Sequence, residues 1–162
     1  MENSIIINEL KDKFTTGVLA VDETLDILTI TIDKDVNYNL IQYLKEELGF
    51  IFITDVCGIH IPTQTEELGV IYHLQNLAEN KRVRLKVFVS KENPRVRSIV
   101  SLFSGANWME RETYDFYGVE FLGHPNLVRI LNVEYMDYHP MRKEYPLEDA
   151  TREDKDDKFF GR

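Results

Sequence analysis

Apolar residues spaced three or four apart predict two helices in the first third of the chain. Ile6, Leu10 and Phe14 recur every four residues, which predicts a short amphipathic helix that ends before Gly17. Gly49 follows a second stripe and supplies the backbone freedom that commonly closes a helix. This second stripe predicts a helix packed on a sheet, and its members are Val36, Leu40, Ile41, Leu44 and Leu48.

Five apolar or alternating runs predict strands, and they cover residues 18–21, 27–32, 50–56, 71–77 and 83–89. The first two runs are close together and predict a hairpin. Residues 50–56 are almost continuously apolar, which predicts a strand buried on both faces and therefore central in its sheet. Residues 83–89 alternate strictly, so we expect one core face and one mostly cationic face.

Two further helices are predicted before residue 118. Asn93-Pro94 provides a side-chain cap and a first-turn proline for a helix whose buried stripe includes Val96 and Phe103. Asn107 and Glu110 have the spacing of a capping box, which predicts a helix that runs to Tyr117. Gly118 is expected to end it.

The order of elements predicts an α+β fold: a mainly antiparallel sheet with helices packed on one face, followed by an extended C-terminal docking segment. We assign residues 1–132 to the α+β domain. Residues 133–162 form the extended, partner-dependent segment, because apolar periodicity stops near Val133 and two X-Pro pairs favour extended backbone.

Composition narrows the function classes. The 162 residues carry a formal net charge of −9, which makes nucleic acid a poor partner because its phosphates repel such a surface. The single Cys57 excludes a disulfide within the chain and is expected to be a buried thiol. We expect a soluble chain without a secretion signal, since no apolar stretch approaches the length that crosses a bilayer. Any membrane association is expected only through partners.

The candidate chemistry favours neither a metal site nor an active site. The four histidines have no zinc-ligand spacing, and a hydrogen-bonding role at a chain corner is the better interpretation for His124 and His139. No nucleotide-binding glycine motif is present. Arg111 and Asp115 have the spacing of an ordinary helix ion pair. The remaining enzymatic hypothesis is a stand-alone acid–base enzyme that uses Glu112, Asp115 and His124.

Cations and aromatic residues are dense near the C-terminal end. Arg129, Arg142 and Lys143 lie among several tyrosines and prolines, a composition typical of protein–protein interfaces. The same residues could also cover a loop-rich flank of their own domain. Composition alone leaves both interpretations open.

This C-terminal part of the sequence resembles a known family, the C subunit of the respiratory NADH:quinone oxidoreductase, complex I (the mitochondrial 30-kDa-type subunit family). The first matching block comprises Glu110-Arg111-Glu112, Asp115, Gly118-Val119, Phe121, Gly123-His124-Pro125, Leu127 and Arg129-Ile130-Leu131. The second block is His139-Pro140-Met141-Arg142-Lys143-Glu144-Tyr145-Pro146-Leu147. Together they cover about forty residues.

The resemblance implies a subunit without catalytic, cofactor-binding or metal-binding residues, seated in the peripheral arm of a proton-translocating enzyme. It would stabilise the junction of the quinone-site subunit and the terminal iron–sulfur subunit. FMN, the iron–sulfur clusters and quinone would be bound by neighbouring subunits, at the cytoplasmic face of the bacterial inner membrane. The alternative is the equivalent subunit of a membrane-bound hydrogenase-type complex. The implied partner interface comprises Glu110, Arg111, Glu112, Asp115, Gly118, His124, Pro125, Arg129, His139, Pro140, Arg142, Lys143, Tyr145 and Pro146.

Overall fold

The computed structural model describes residues 2–24 and 26–145. These residues form three helices and seven strands. In chain order they are α1 (Asn3–Lys13), β1 (Val18–Asp22), β2 (Leu28–Ile32), α2 (Asn37–Glu46), β3 (Phe52–His60), β4 (Leu68–Asn76), β5 (Lys81–Val89), β6 (Arg95–Arg97), α3 (Ala106–Tyr117) and β7 (Glu120–Leu122). Leu25 and the predicted tail beyond Tyr145 lie outside the described residues.

The main sheet has the strand order β1-β2-β5-β4-β3. Strands β1 and β2 form the predicted antiparallel hairpin, and β3, β4 and β5 form an antiparallel meander. Strands β2 and β5 pair in parallel, so the sheet is mixed. This parallel pair requires the chain to cross over between β2 and β5, and α2, β3 and β4 make up that crossover. The predicted α+β class is confirmed.

One face of the main sheet carries the core. Tyr72 and Leu85 are register partners on this face and are completely buried. Helix α2 packs there, since the amide of Asn37 donates to the hydroxyl of Tyr72 at 3.4 Å. Helix α3 packs on the same face at β3, where the ring of Tyr117 leaves no room for a side chain at Gly58. The helices α2 and α3 therefore cover the same side of the sheet, as predicted.

Two predicted elements are wrong. Strand β3 is an edge strand rather than a central one, and Phe52 and Thr54 are exposed on it. The helix expected after Asn93-Pro94 does not form. Instead, β6 pairs in parallel with β7, and Val96 is buried opposite Phe121. That pairing joins residues 25 apart, and local spacing could not reveal it.

Candidate functional site

The carboxylate of Asp115 is the centre of a hydrogen-bond network between α3 and residues 124–145, which we call the 124–145 segment. Its side chain is completely buried. Oδ1 accepts from Nη1 of Arg129 at 2.7 Å and from the side-chain amide of Asn132 at 3.1 Å. Oδ2 accepts the backbone N–H groups of Ile130, Leu131 and Asn132 at 2.8 to 3.1 Å. A single carboxylate thus fixes the start of a loop.

This environment keeps Asp115 ionised. Burial alone would raise the pKa of its carboxyl group, because it removes water from the charged form. The N–H groups of Asn132 and Leu131 and the guanidinium of Arg129 outweigh that effect and hold the pKa well below its usual range. Asp115 is therefore a structural anion and has no proton to exchange near neutral pH.

Arg129 uses its planar fork to bind its own chain. Besides the carboxylate, it donates to the backbone carbonyl of Asp115 at 3.0 Å. It also donates to the carbonyls of Met136 and Tyr138 at 2.8 and 2.9 Å. Arg129, which the resemblance assigns to the partner interface, therefore forms an internal ion pair in this chain.

Arg142 and His139 fix the 124–145 segment to the end of α3. Arg142 donates through Nε to the carbonyl of Tyr117 at 2.7 Å, and Nδ1–H of His139 donates to the carbonyl of Asp115 at 3.0 Å. Burial lowers the pKa of His139, as do the charges of Arg142 and Arg129, so the ring is neutral at pH 7. Both side chains lie directly over Gly118, which adopts a φ of +74°.

Arg111 and His124 hold the other end of this segment. Arg111 does not form the expected helix pair with Asp115. It donates to the backbone carbonyls of Val128 and Arg129 at 3.0 and 2.9 Å. Nε2 of His124 contacts the carbonyl of Asn107, and its Nδ1 accepts the N–H of Asn126. The predicted role of His124 as a corner-fixing residue is confirmed.

Glu110 has an internal role that differs from the predicted capping box. Helix α3 begins after Gly105 without a side-chain cap. The fully buried carboxylate of Glu110 accepts from the hydroxyl of Ser98 at 2.6 Å and from the N–H of Ile99 at 2.8 Å. Burial raises its pKa to about 7, although these two hydrogen bonds oppose that shift. Glu110 therefore braces the turn that stands where a helix was predicted.

The described chain ends against the sheet. The N–H of Lys143 donates to Nδ1 of His60 at 2.8 Å, and Glu144 pairs with Lys91 at 2.9 Å. The Lys143 side chain itself is exposed, as are Glu112, Pro125 and Tyr145. Pro140 is half-buried, and Pro146 lies outside the described residues.

Large apolar side chains are exposed on the outside of this braced segment. Tyr135 is 88% exposed and Leu131 is 68% exposed, although both belong to a loop with fixed backbone. The full exposed set in the 124–145 segment is Val128, Leu131, Val133, Tyr135, Tyr138, Met141 and Tyr145. Composition did not distinguish these residues from the inward-facing polar ones, because the two kinds alternate irregularly.

The three residues of the acid–base hypothesis are not assembled into one site. The carboxylate of Asp115 is saturated by internal donors, and His124 is bound to Asn107. Glu112 instead lines a cavity with residues of β3. Among the described residues, no hydrogen bond or ion pair joins any two of the three. Within that same part of the chain, no group of three or more histidine, cysteine or acidic side chains could hold a metal ion.

Comparison with known proteins places this arrangement in a family. Residues 30–151 match the family described as the 30 Kd subunit of the respiratory-chain NADH dehydrogenase. The chain belongs to this family. Residues 110–145, which build the Asp115 network, all lie within the matched range. The family assignment made from the two sequence blocks is confirmed.

Relatives support the assignment over nearly the whole chain. The C subunit of NADH-quinone oxidoreductase from Citrifermentans bemidjiense is 34% identical over 152 residues, which are 94% of each chain. Its counterpart from Geobacter sulfurreducens is 35% identical and has the same coverage. The counterpart from Xanthobacter autotrophicus is 44% identical, but the match covers 74% of this chain and 57% of that longer protein.

Solved structures agree on the fold. A trypsin-resistant fragment of Nqo5 aligns with a TM-score of 0.69 and 28% identity, and the match covers 78% of this chain and 100% of the fragment. A chain of an archaeal membrane-bound sulfane sulfur reductase aligns with a TM-score of 0.75 and 19% identity, over 91% of this chain and 87% of that one. The second similarity concerns the fold alone. Among the described residues, no helix is long and apolar enough to span a membrane.

Proposed function

We propose that this chain is a cofactor-free, peripheral-arm subunit of a proton-translocating NADH:quinone oxidoreductase. It would stabilise the junction between the subunit that forms the quinone site and the subunit that carries the terminal iron–sulfur cluster. The chain would be held at the cytoplasmic face of the bacterial inner membrane through those partners. The three relatives described above are named as C subunits of NADH-quinone oxidoreductase, which supports the assembly.

One structural observation carries the interface role. The 124–145 segment has a backbone fixed by Asp115, Arg129 and Arg142, yet it exposes seven large apolar side chains. Such side chains, concentrated within one short segment, mark an interaction site, because water contact with them is unfavourable. The internal polar network fixes the backbone that carries these side chains before a partner arrives, which reduces the entropy lost on docking.

The chemistry of the chain supports a role without electron transfer. Four thiolates are the usual ligands of an iron–sulfur cluster, and this sequence has one cysteine. Burial, followed by the charge of Asp55, raises the pKa of Cys57 to about 11, so its thiol is protonated and a poor metal ligand. We therefore propose that FMN, the clusters and quinone are bound by neighbouring subunits.

The second candidate function is the equivalent place in a related membrane complex of the hydrogenase type. This candidate is supported by the fold that the chain shares with a chain of the sulfane sulfur reductase, which is a different respiratory membrane complex. Affinity purification of the tagged chain from its native cells, with mass spectrometry of the retained polypeptides, separates the two. Flavin- and NADH-binding subunits support the first proposal, and a nickel-bearing subunit supports the second. A chain that purifies alone contradicts both.

A further inference from the structure

The outer edge of β3 has no strand partner in the part of the chain that the structure describes. Strand β3 is nine residues long and pairs with β4 on its inner side only. Free strand edges invite pairing, and proteins usually protect them with lysine, proline or bulges. Strand β3 contains neither lysine nor proline. Only one register shift near Thr54 and the charge of Asp55 oppose pairing of this edge with another strand. Ile51, just before the strand, is 61% exposed, and Phe52, its first residue, is 47% exposed.

A cavity of about 350 Å³ lies between β3 and α3. Its floor comes from β3, and its opposite wall comes from Phe116 and Tyr117 of α3, with Met141 from the 124–145 segment. The size suits one long side chain, and Phe116 adds an aromatic ring to the wall. The lining is Asp55, Val56, Cys57, Gly58, Glu112, Thr113, Phe116, Tyr117 and Met141.

The charge of this cavity is negative. Glu112 contributes from the helix and is exposed. Asp55 lines the cavity from β3, but its carboxylate contacts His73 on the sheet face away from α3. The Asp55 carboxylate lies 3.7 Å from Nδ1 of His73, whose ring is neutral at pH 7 because burial lowers its pKa. Nε2 of the same ring accepts from the guanidinium of Arg84 at 2.8 Å, so a cation lies beside Asp55 and partly balances its charge. Glu112 forms no ion pair with any described residue. Burial raises the pKa of Cys57, the charges of Asp55 and Glu112 add to that shift, and the charge of Arg84 opposes it.

We propose that an extended segment of a neighbouring subunit adds to the outer edge of β3 and inserts an arginine side chain into this cavity. The inference rests on the proposed function, because it requires a partner subunit. Main-chain hydrogen bonds would supply affinity and the side-chain pocket would supply specificity, as in other strand additions. Arginine fits better than lysine because its planar guanidinium can bond the Glu112 carboxylate through two parallel hydrogen bonds and can stack on an aromatic ring.

A second copy of this chain is a poor occupant of the same edge. Pairing two β3 edges would bring the Asp55 and Glu112 carboxylates of one copy toward those of the other. Like charges placed together across an interface oppose association. The net charge of −9 adds to that repulsion. A cationic segment of a different protein avoids both effects.

Two labelling measurements on the intact complex and on the purified chain test the proposal. We expect the β3 amides to exchange hydrogen at least about tenfold more slowly in the complex, because a partner strand would bond those on the outer side. We also expect carbodiimide labelling of Asp55 and Glu112 to fall in the complex. Asp12, exposed on α1 near the other edge of the sheet, is the control and should label equally in both samples.

Charge reversal is the functional test. Glu112→Lys should lower incorporation into the complex about tenfold or more, since it would oppose the incoming cation, whereas Glu112→Gln should have a smaller effect. Asp12→Lys makes the same charge change at the remote site and should assemble normally. Because Glu112 is exposed and unpaired among the described residues, the thermal midpoint of the isolated Glu112→Lys chain should match that of the wild type.

The outcomes separate this inference from the proposed function. Normal incorporation of Glu112→Lys, or β3 amides that exchange equally fast in the complex, overturns the strand addition while leaving the subunit role intact. Protection of β3 by a second copy of this chain also overturns it. A wild-type chain that co-purifies with no other subunit overturns both.

Discussion

Asp115 and Arg129 form an ion pair inside the chain, with 2.7 Å between Oδ1 and Nη1 and exposed side-chain fractions of 0% and 9%. Both residues belong to the first block that resembles the C subunit family, and that resemblance implies that they lie at a partner interface. Their contacts instead hold the 124–145 segment against α3. The characteristic polar residues thus shape a surface, and their exposed apolar neighbours supply its contact area.

Loss of the Asp115 charge should destabilise the chain strongly. Asp115→Asn would leave the guanidinium of Arg129 without its counter-ion and should cost about 3 kcal/mol in free energy of unfolding, which urea titration measures. Asp137→Asn, at an exposed position in the same segment, should change it by less than about 0.5 kcal/mol. Equal effects of the two substitutions would contradict the central role of Asp115.

The same ion pair predicts an acid limit of stability. The pKa of Asp115 is lower in the folded chain than its ordinary value of 3.8, so the unfolded state takes up this proton first as pH falls. The stabilisation is therefore complete above about pH 4 and is lost as pH decreases toward the folded-state pKa. In Asp115→Asn, this part of the acid-induced loss should be absent.

Glu110 predicts the opposite dependence at higher pH. Its pKa rises from 4.5 to about 7 on folding, so the folded state binds the additional proton between these values, and stability falls as pH rises through this range. The decrease should approach about 3 kcal/mol. Glu110→Gln, which resembles the protonated acid, should remove the dependence in thermal unfolding from about pH 5 to 8. If stability depends on pH in Glu110→Gln as it does in the wild type, the raised pKa of Glu110 is not the cause and this prediction is wrong.

Gly118 and Gly123 form a matched pair for a steric test. Both have a positive φ, 74° and 82°, so alanine at either position carries a similar backbone cost of about 1 kcal/mol. A Cβ at Gly118 would lie 2.5 Å from both Arg142 and His139, whereas nothing lies within 4 Å of a Cβ at Gly123. Gly118→Ala should therefore be clearly the more destabilising in urea titration, and similar losses would contradict this packing.

Thr113 predicts a stabilising substitution. Its Oγ1 is buried and has no hydrogen-bond partner among the described residues. Thr113→Val keeps the shape and removes the unsatisfied hydroxyl, so the free energy of unfolding should rise by about 1 kcal/mol. Exposed Thr15→Val should leave it nearly unchanged. A loss of stability in Thr113→Val would indicate that the hydroxyl has a partner.

The sequence predicted those elements whose pattern is local. The alternation in β5 and the apolar stripe of α2 correctly predicted which residues of these elements are buried. Gly118 ends α3 as expected, and it does so in the left-handed conformation. These features depend on neighbours within a few residues. The parallel pairing of β2 with β5 was not predicted, because a crossover of about fifty residues separates the two strands.

The polar residues near α3 show that local spacing does not predict tertiary hydrogen-bond partners. Arg111 and Asp115 have helix-pair spacing, and Asn107 and Glu110 have capping-box spacing, but tertiary partners replace both interactions. The Arg129–Asp115 pair joins residues 14 apart across a loop, so no periodic signal marks it. The two open interpretations of Arg129, partner contact and internal cover, could be separated only by the fold.

The measurement that tests the account most directly is the yield of intact complex from cells that carry Leu131→Ser together with Tyr135→Ser. These side chains are 68% and 88% exposed, so the isolated variant should unfold at the wild-type urea midpoint. We predict that the yield falls at least about tenfold, while Leu19→Ser, at a 58% exposed position on β1, retains the wild-type yield. Wild-type yield from the double variant would contradict the claim that the 124–145 segment is a subunit interface.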